Sequence, residues 1–294
     1  MHEPRTGRPR LRLPNRRFRR IPVRTLVPNV VTLLALCAGL TAIRMAFEDR
    51  YTLALAAIVF AAFLDGIDGR LARLLKGTSR FGAELDSLAD FVNFGVAPGL
   101  ILYFWQLREL HNGGWIAAMV FAISGGLRLA RFNASMDDPN KPAFAANYFT
   151  GVPAPAGAII VLLPIYLAFL GVSKPPAVLT AAYTLVIAFL MVSRLPVFSG
   201  KTVRMRVPPE LVLPAFVSVI FFIALLIAYP WYILSAGSVL YILSLPLGWK
   251  SYRDHARAAA LATSNVDVAT SAPPQAPSFP PAKSDSEERP DRLH

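Results

Sequence analysis

The sequence predicts an all-helical protein that crosses a membrane about eight times. Three observations lead to this fold class. Hydrophobic residues occupy 54% of the 294 positions and charged residues only 16%, which is the composition of a membrane protein rather than of a water-soluble domain. Apolar segments of about spanning length recur along the chain. Lys and Arg residues collect in alternate connections between these segments.

Eight segments are predicted to span the membrane: residues 26–46, 51–75, 84–107, 114–133, 148–171, 176–193, 211–228 and 230–249. With the N-terminus in the cytoplasm, all but four of the 30 Lys and Arg residues fall on the cytoplasmic side. The exceptions are Arg44, Arg50, Arg108 and Lys174. Because cytoplasmic loops carry an excess of basic residues, this sorting predicts that both termini are cytoplasmic.

The composition divides the chain into a basic tail (residues 1–24), a membrane catalytic domain (25–250) and a Pro-rich tail (251–294). The last segment has too few large apolar residues to fold and is predicted to be disordered. The formal charge of +12 is distributed between apolar segments, which favours an anionic membrane surface over nucleic acid. Cys37 is the only cysteine, which excludes an internal disulfide and a cysteine metal site.

Four aspartates lie at the junction of the second and third predicted spans. The apolar run Tyr51–Leu64 has 14 residues, and a helix rising about 1.5 Å per residue needs more to cross about 30 Å of hydrocarbon. The second helix must therefore continue through Asp65 and Asp68, and the third must extend back through Asp90 and Asp86. All four carboxylates are expected to meet near the cytoplasmic ends of two antiparallel helices.

Four unpaired aspartates at this depth would cost on the order of 10 kcal/mol, so something must compensate them. One or two Mg²⁺ or Mn²⁺ ions suit carboxylates that also hold a substrate's phosphates, which indicates a metal-assisted phosphate reaction. The neighbouring Gly69 and Ala72 leave room for a ligand. Two alternatives are a buried ion-pair network with Arg70, Arg73 and Arg80, and the cation or proton pathway of a transporter.

The motif has the form D-x-x-D-G-x-x-A-R, eight residues, then G-x-x-x-D-x-x-x-D. Its fixed positions are Asp65, Asp68, Gly69, Ala72, Arg73, Gly82, Asp86 and Asp90. It closely resembles the signature of the CDP-alcohol phosphotransferases, which are integral membrane enzymes of phospholipid synthesis. The segments GGLRLARFN, FTGVPAPAGA and MVSRLPVFSGKT are similar to the phosphatidylserine synthase branch of this family. The resemblance covers most of residues 25–250.

The resemblance implies that Asp65, Asp68 and Asp86 ligate two metal ions, and that Asp90 both contacts a metal and acts as the general base. Gly69 and Arg73 then match positions that hold the CDP group, and Ser79 is a further contact. In the first span, Asn29 and Thr32 share a face and could meet the nucleotide; helix capping and packing are the alternative roles.

The basic residues of the fourth span have two interpretations. Arg128 and Arg131 could receive the carboxylate of serine or a lipid phosphate, or they could be ordinary positive-inside anchors. Asn133, Arg194 and Lys201 carry the same ambiguity.

As a member of the phosphatidylserine synthase branch, the chain would transfer a phosphatidyl group from CDP-diacylglycerol to L-serine and release CMP. The resemblance also implies a homodimer. We expect a location in the cytoplasmic membrane, with a cavity facing the cytoplasm and open to membrane lipids, and a divalent metal as the cofactor. Two alternatives remain: a sibling enzyme that uses glycerol phosphate, inositol phosphate or choline, and, more distantly, a cation or solute transporter.

Overall fold

The computed structural model describes residues 23–75, 77, 79–136, 148–193, 196–198 and 209–246. The helices in this part of the chain are α1 (Val23–Phe47), α2 (Tyr51–Leu74), α3 (Arg80–Asp90), α4 (Ala97–Trp105), α5 (Asn112–Met136), α6 (Ala154–Val161), α7 (Leu163–Phe169), α8 (Ala177–Val192), α9 (Pro209–Ala228) and α10 (Pro230–Pro246). A π-helical segment, Phe91–Val96, joins α3 to α4, and a 3-10 turn, Leu107–Leu110, precedes α5.

The predicted polytopic helical class is confirmed. Within the described residues, five helical segments are long and apolar enough to cross a membrane, namely Leu26–Phe47, Tyr51–Leu74, Arg80–Trp105, Asn112–Ser135 and Leu211–Ala228. Three shorter apolar helices correspond to the remaining predicted spans: Ala154–Phe169, Ala177–Val192 and Pro230–Pro246. Each of the eight apolar runs in the sequence therefore corresponds to helix.

The fifth predicted span, residues 148–171, is wrong at its start and is not one continuous helix. Tyr148–Thr150 is a short strand, β1, which pairs antiparallel with β2 (Pro196–Phe198). Helix begins only at Ala154 and is interrupted at Leu162. Pro164 lacks the N–H that would bond to the carbonyl of Ile160 in a continuous helix. The Tyr183 hydroxyl donates to that carbonyl instead, at 2.7 Å.

Helices α1 and α2 approach each other through small side chains. Ala35, Ala42 and Ala46 on α1 and Ala54 and Ala61 on α2 are at most 1% exposed. Small residues let helix backbones come close in a membrane, where van der Waals packing rather than the hydrophobic effect holds helices together. This packing places the N-terminal part of α1 beside the aspartate-bearing end of α2.

The third span, Arg80–Trp105, packs closely against α5 at glycine residues. A Cβ added at Gly99 would lie 3.0 Å from the Ala118 carbonyl oxygen, and one at Gly125 would lie 3.0 Å from the Gly95 Cα. Only residues without a side chain permit this approach. The close contact of the third span with α5 brings the end of α5 that carries Arg128 alongside α3.

The outer surface of the bundle is apolar. Helix α9 has a mean hydropathy of 2.9 over its most apolar 18 residues, and none of that stretch is buried. A helix that is hydrophobic on every side and exposed belongs in lipid rather than in water. The chain is therefore a multi-pass membrane protein.

Three predictions concern residues outside the described part of the chain. They are the Pro-rich tail at 251–294, the basic tail at 1–24 apart from Val23 and Arg24, which begin α1, and the assignments for Arg194 and Lys201.

Candidate active site

The aspartates of the motif come together as predicted. Asp65 and Asp68 lie about one helical turn apart on α2, and Asp86 lies on the neighbouring α3. One carboxylate oxygen from each of these three residues lies within 4.8 Å of the other two. Asp90, one turn further along α3, contacts the carboxyl group of Asp65. Four acidic side chains therefore form one cluster, which we call the aspartate cluster.

Helix α1 contributes a hydroxyl group to this cluster. Thr32 donates a hydrogen bond of 2.8 Å to Oδ2 of Asp68, and its Oγ1 also lies 3.1 Å from the Pro28 carbonyl oxygen. Both Thr32 and Asp68 are 4% exposed. This bond fixes one carboxylate oxygen of Asp68 toward α1, so that its other oxygen is available for a second partner.

The chemistry of the cluster fits a divalent cation. Carboxylate oxygens are hard ligands, and two oxygens bound to one Mg²⁺ at about 2.1 Å lie at most about 4 Å apart. The 4.8 Å limit within the cluster is close to that spacing. Among the described residues, the side chains of Asp65, Asp68 and Asp86 have no Lys or Arg within salt-bridge distance, so the ion-pair network with Arg70, Arg73 and Arg80 is absent there.

A first cavity, of about 160 Å³, opens on one side of the cluster between α1, α2 and α3. Its lining includes four of the five residues predicted to hold the CDP group: Asn29, Thr32, Gly69 and Ser79. A Cβ added at Gly69 would meet no atom within 4 Å, so this glycine leaves open space rather than permitting helix packing. The fifth residue, Arg73, is exposed on α2 and does not line the cavity.

The start of α3 closes one side of this cavity. Ser79 is the N-cap, and its Oγ accepts a 3.0 Å hydrogen bond from the Gly82 N–H. A Cβ added at Gly82 would lie 2.7 Å from Oδ1 of Asn29, so the glycine of the motif also permits α1 to approach α3. The predicted role of Ser79 as a CDP contact thus coexists with a capping role.

A second cavity, of about 610 Å³, lies on the other side of α3, between α3 and α5. Its lining residues are Arg80, Ala83, Glu84, Asp86, Ser87, Asp90, Arg128, Leu129, Phe132 and Asn133. Asp86 and Ala83 line both cavities, whereas Asp90 lines only the second. The aspartate cluster therefore stands between two separate spaces.

Two of the three polar residues predicted on α5 face the second cavity. Arg128 is 9% exposed, and its guanidinium lies 5.6 Å from the ring centroid of Phe132. Asn133 donates from Nδ2 to the Ser87 hydroxyl oxygen at 2.9 Å, which links α5 to α3. Arg131 instead donates to the carbonyl oxygen of Val192 at the end of α8 and does not line the cavity.

Sequence reasoning did not assign a role to Glu84 or Ser87. On a regular helix Ser87 lies about 60° from Asp90 but Glu84 about 120° from it, and it is the lining of the second cavity that brings all three together. Sequence reasoning also left Asn93 without a role. This side chain is 1% exposed, packs where a Cβ on Gly39 would lie, and leaves both amide atoms without a hydrogen-bond partner among the described residues. A buried amide without a hydrogen-bond partner, in a π-helical segment directly after Asp90, can be recognised only from the structure.

Comparison with known proteins agrees with this geometry. The family model described as CDP-alcohol phosphatidyltransferase matches residues 25–193, and the one described as CDP-alcohol phosphatidyltransferase 2 matches residues 210–246. The first match contains the whole aspartate cluster and the lining of both cavities. The resemblance noted in the motif is thereby confirmed.

Individual relatives share the name CDP-diacylglycerol–serine O-phosphatidyltransferase. The chain is 50% identical to the protein of Mycobacterium tuberculosis over 146 residues, which are 49% of this chain and 51% of the relative. It is 41% identical to the Helicobacter pylori protein over 142 residues (48% and 58%) and 37% identical to the Bacillus subtilis protein over 148 residues (48% and 80%). The chain thus spans about half the length of the mycobacterial relatives. Because the first family model matches more than half of its residues, the chain belongs to the CDP-alcohol phosphatidyltransferase family.

Proposed function

We propose that the protein transfers a phosphatidyl group from CDP-diacylglycerol to L-serine, giving phosphatidylserine and CMP. The observation that carries the proposal is the position of the aspartate cluster between two cavities, one for each substrate. The names of the relatives supply the identity of the acceptor. A transfer reaction needs both substrates beside the same reacting group. Because Asp86 lines both cavities, substrates bound in the two cavities would meet at the aspartate cluster.

The first cavity is assigned to the CDP group. Asn29 and Ser79 offer polar atoms at its rim, Thr32 orients Asp68, and Gly69 leaves space beside the α2 backbone. Arg73, the residue after the lining residue Ala72, is assigned to a phosphate at the mouth of the cavity on the family resemblance.

Asp65, Asp68 and Asp86, with Asp90, are the residues that would hold the metal, and we propose two ions, Mg²⁺ or Mn²⁺. When bound, these cations polarise the phosphorus under attack and stabilise the charge of the CMP leaving group. The four carboxylates would hold the ions at the boundary between the two cavities, where the diphosphate of CDP-diacylglycerol would meet them. Family-wide use of divalent metals supports this assignment.

The second cavity is assigned to the acceptor alcohol. Asp90 lines this cavity and not the first, so its carboxylate faces the incoming hydroxyl. It removes the hydroxyl proton as the serine oxygen attacks the β-phosphorus, and CMP departs on the opposite side. Arg128 and Asn133 lie where they would bind the polar groups of the acceptor, while Arg131 holds α5 to α8.

The sorting of Lys and Arg residues supports a location in the cytoplasmic membrane, with both termini in the cytoplasm. The site then opens to the compartment that supplies serine, and CDP-diacylglycerol enters from the bilayer. We also propose that the protein is a homodimer, because the family resemblance implies one.

The decisive experiment offers purified protein CDP-diacylglycerol with Mn²⁺ or Mg²⁺ and one acceptor at a time: L-serine, glycerol phosphate, inositol phosphate or choline. We expect phosphatidylserine and an equal amount of CMP with L-serine. Preferential formation of another lipid would assign the chain to a sibling activity. Ion flux into sealed vesicles without any CMP would support the transporter alternative.

Changing Gly69 to Ala is expected to weaken CDP-diacylglycerol binding without loss of stability. The new methyl group meets no protein atom, so the helix gains about 1 kcal/mol of propensity, but the methyl enters the first cavity. We expect the KM for CDP-diacylglycerol to rise about tenfold. Gly66→Ala is the matched control, because Gly66 also lies on α2, also has nothing within 4 Å and lines neither cavity. Equal KM values for the two variants would contradict the role of Gly69.

A further inference from the structure

We propose that Glu84 and Arg128 together select an acceptor that carries both an ammonium and a carboxylate group. Glu84 binds the ammonium group and Arg128 binds the carboxylate, while Asp90 receives the hydroxyl. This inference rests on the proposed function and deepens it, because it explains how the second cavity distinguishes an amino acid from the phosphorylated alcohols that other phosphatidyltransferases would use.

The buried cation of the second cavity has an unpaired donor. Arg128 is 9% exposed, and its Nε atom is buried with no hydrogen-bond partner in the part of the chain that the structure describes. The guanidinium lies 5.6 Å from the ring centroid of Phe132 and is attracted by the charge of Asp90, with which it forms no described salt bridge. A buried guanidinium costs free energy unless an anion or a polar group accepts its N–H donors. A carboxylate matches the fork of the guanidinium better than any other acceptor of its size.

Glu84 differs from the other acidic residues of the cavity. Asp86 and Asp90 belong to the aspartate cluster, whose charges a divalent cation would balance. Glu84 lies outside the cluster, is exposed, and forms no salt bridge among the described residues. Arg80, one turn earlier on the same helix, does not pair with it. Glu84 is therefore a negative charge free to bind a cationic group that enters the cavity.

The spacing of the two groups is fixed by the helices that carry them. Glu84 lies one turn before Ser87 on α3, and Arg128 lies just over one turn before Asn133 on α5. The 2.9 Å hydrogen bond between Asn133 and Ser87 joins these two helices at the cavity. Opposite charges therefore stand on the two walls of the cavity, with Asp90 on the same helix as Glu84, and serine carries one substituent for each of these three side chains.

The same arrangement disfavours phosphorylated acceptors. A phosphomonoester would bring close to two negative charges into a cavity whose lining already contains Glu84, Asp86 and Asp90, and like charges repel. Serine, with no net charge, avoids this repulsion and satisfies both walls. The selectivity thus depends on the difference in electrostatic energy between bound serine and a bound phosphomonoester, rather than on the size of the acceptor.

The test compares three acceptors in purified protein at saturating CDP-diacylglycerol and Mn²⁺. L-serine has both charged groups, L-glycerate replaces the ammonium group with a hydroxyl at the same configuration, and serinol replaces the carboxylate with a hydroxymethyl group. For Glu84→Gln we expect the KM for L-serine to rise about tenfold with kcat unchanged, and no rise in the KM for L-glycerate. For Arg128→Gln we expect the KM to rise for L-serine and L-glycerate but not for serinol.

Glu109→Gln is the matched control, because Glu109 pairs with Lys174 at 3.2 Å and lines neither cavity. The KM for CDP-diacylglycerol, measured in every variant, reports whether the fold is retained. An unchanged KM for L-serine in Glu84→Gln, or equal losses for all three acceptors, would overturn the inference and leave the proposed function standing. Wild-type protein that makes no phosphatidylserine would overturn the proposed function, and the inference with it.

Discussion

Replacing Asp90 by Asn is expected to reduce phosphatidyl transfer by about 10²- to 10⁴-fold, the usual contribution of a positioned general base. The amide has nearly the same shape as the carboxyl group but cannot accept the hydroxyl proton. It also removes one negative charge from a site where Asp90 contacts Asp65. The fold should therefore survive, and stability should hold or rise, since like charges are relieved.

The measurement is CMP release at saturating Mn²⁺ and L-serine, with thermal unfolding in detergent as the check on folding. Asp49→Asn is the control: Asp49 lies in the connection between α1 and α2 and lines neither cavity. We expect Asp49→Asn to keep wild-type activity. A folded Asp90→Asn protein that incorporates serine at the wild-type rate would contradict the assignment of Asp90 as the base.

Removal of the divalent metal is expected to abolish transfer, and substitutions in the aspartate cluster are expected to weaken metal binding itself. Asp65, Asp68 and Asp86 supply the three carboxylates that meet within 4.8 Å. The double variant Asp65→Asn, Asp86→Asn leaves only Asp68 of these three. We expect Mn²⁺ affinity to fall at least about 100-fold, because charge and ligand number set the affinity of hard cations for oxygen sites.

Mn²⁺ binding to the purified protein, followed by paramagnetic resonance, measures this effect independently of activity. A chelator should stop CMP release, and added Mn²⁺ or Mg²⁺ should restore it. Asp49→Asn again serves as the control and should bind Mn²⁺ as the wild type does. Equal Mn²⁺ affinity in the double variant and the wild type would contradict a metal site in the aspartate cluster.

The meeting of the four aspartates could be predicted from the sequence because bilayer thickness limits the possibilities. The apolar run Tyr51–Leu64 is too short to cross, so helix had to continue through Asp65 and Asp68, and α2 does run on to Leu74. The same length requirement placed Asp86 and Asp90 on the third span at a similar depth. A short connection then left the two helices adjacent.

Features that depend on contacts between distant segments could not be predicted. Arg128 and Arg131 lie three residues apart on one helix, yet the first faces the second cavity and the second binds the carbonyl of Val192. Nothing local distinguishes them, because the deciding carbonyl belongs to α8. The pairing of β1 with β2 has the same origin, since three-residue strands carry almost no periodic signal.

The π-helical segment of the third span could not be predicted from the sequence. A regular helix predicts that Asn93 shares the face of Gly82 and Asp86, and both Gly82 and Asn93 do face α1, at Asn29 and Gly39 respectively. The hydrogen-bond pattern nevertheless changes over Phe91–Val96. No residue type in this segment identifies a π-helix, so it is visible only in the structure.

The central claim is that both substrates bind at once, on the two sides of the wall formed by Asp86, and that transfer between them is direct. The stereochemical course at phosphorus tests this most directly. CDP-diacylglycerol made chiral at the β-phosphorus with oxygen isotopes is converted with L-serine, and the configuration of the phosphatidylserine is determined. A single in-line displacement predicts inversion of configuration. Retention would require two displacements through a phosphatidyl-enzyme intermediate and would contradict the claim.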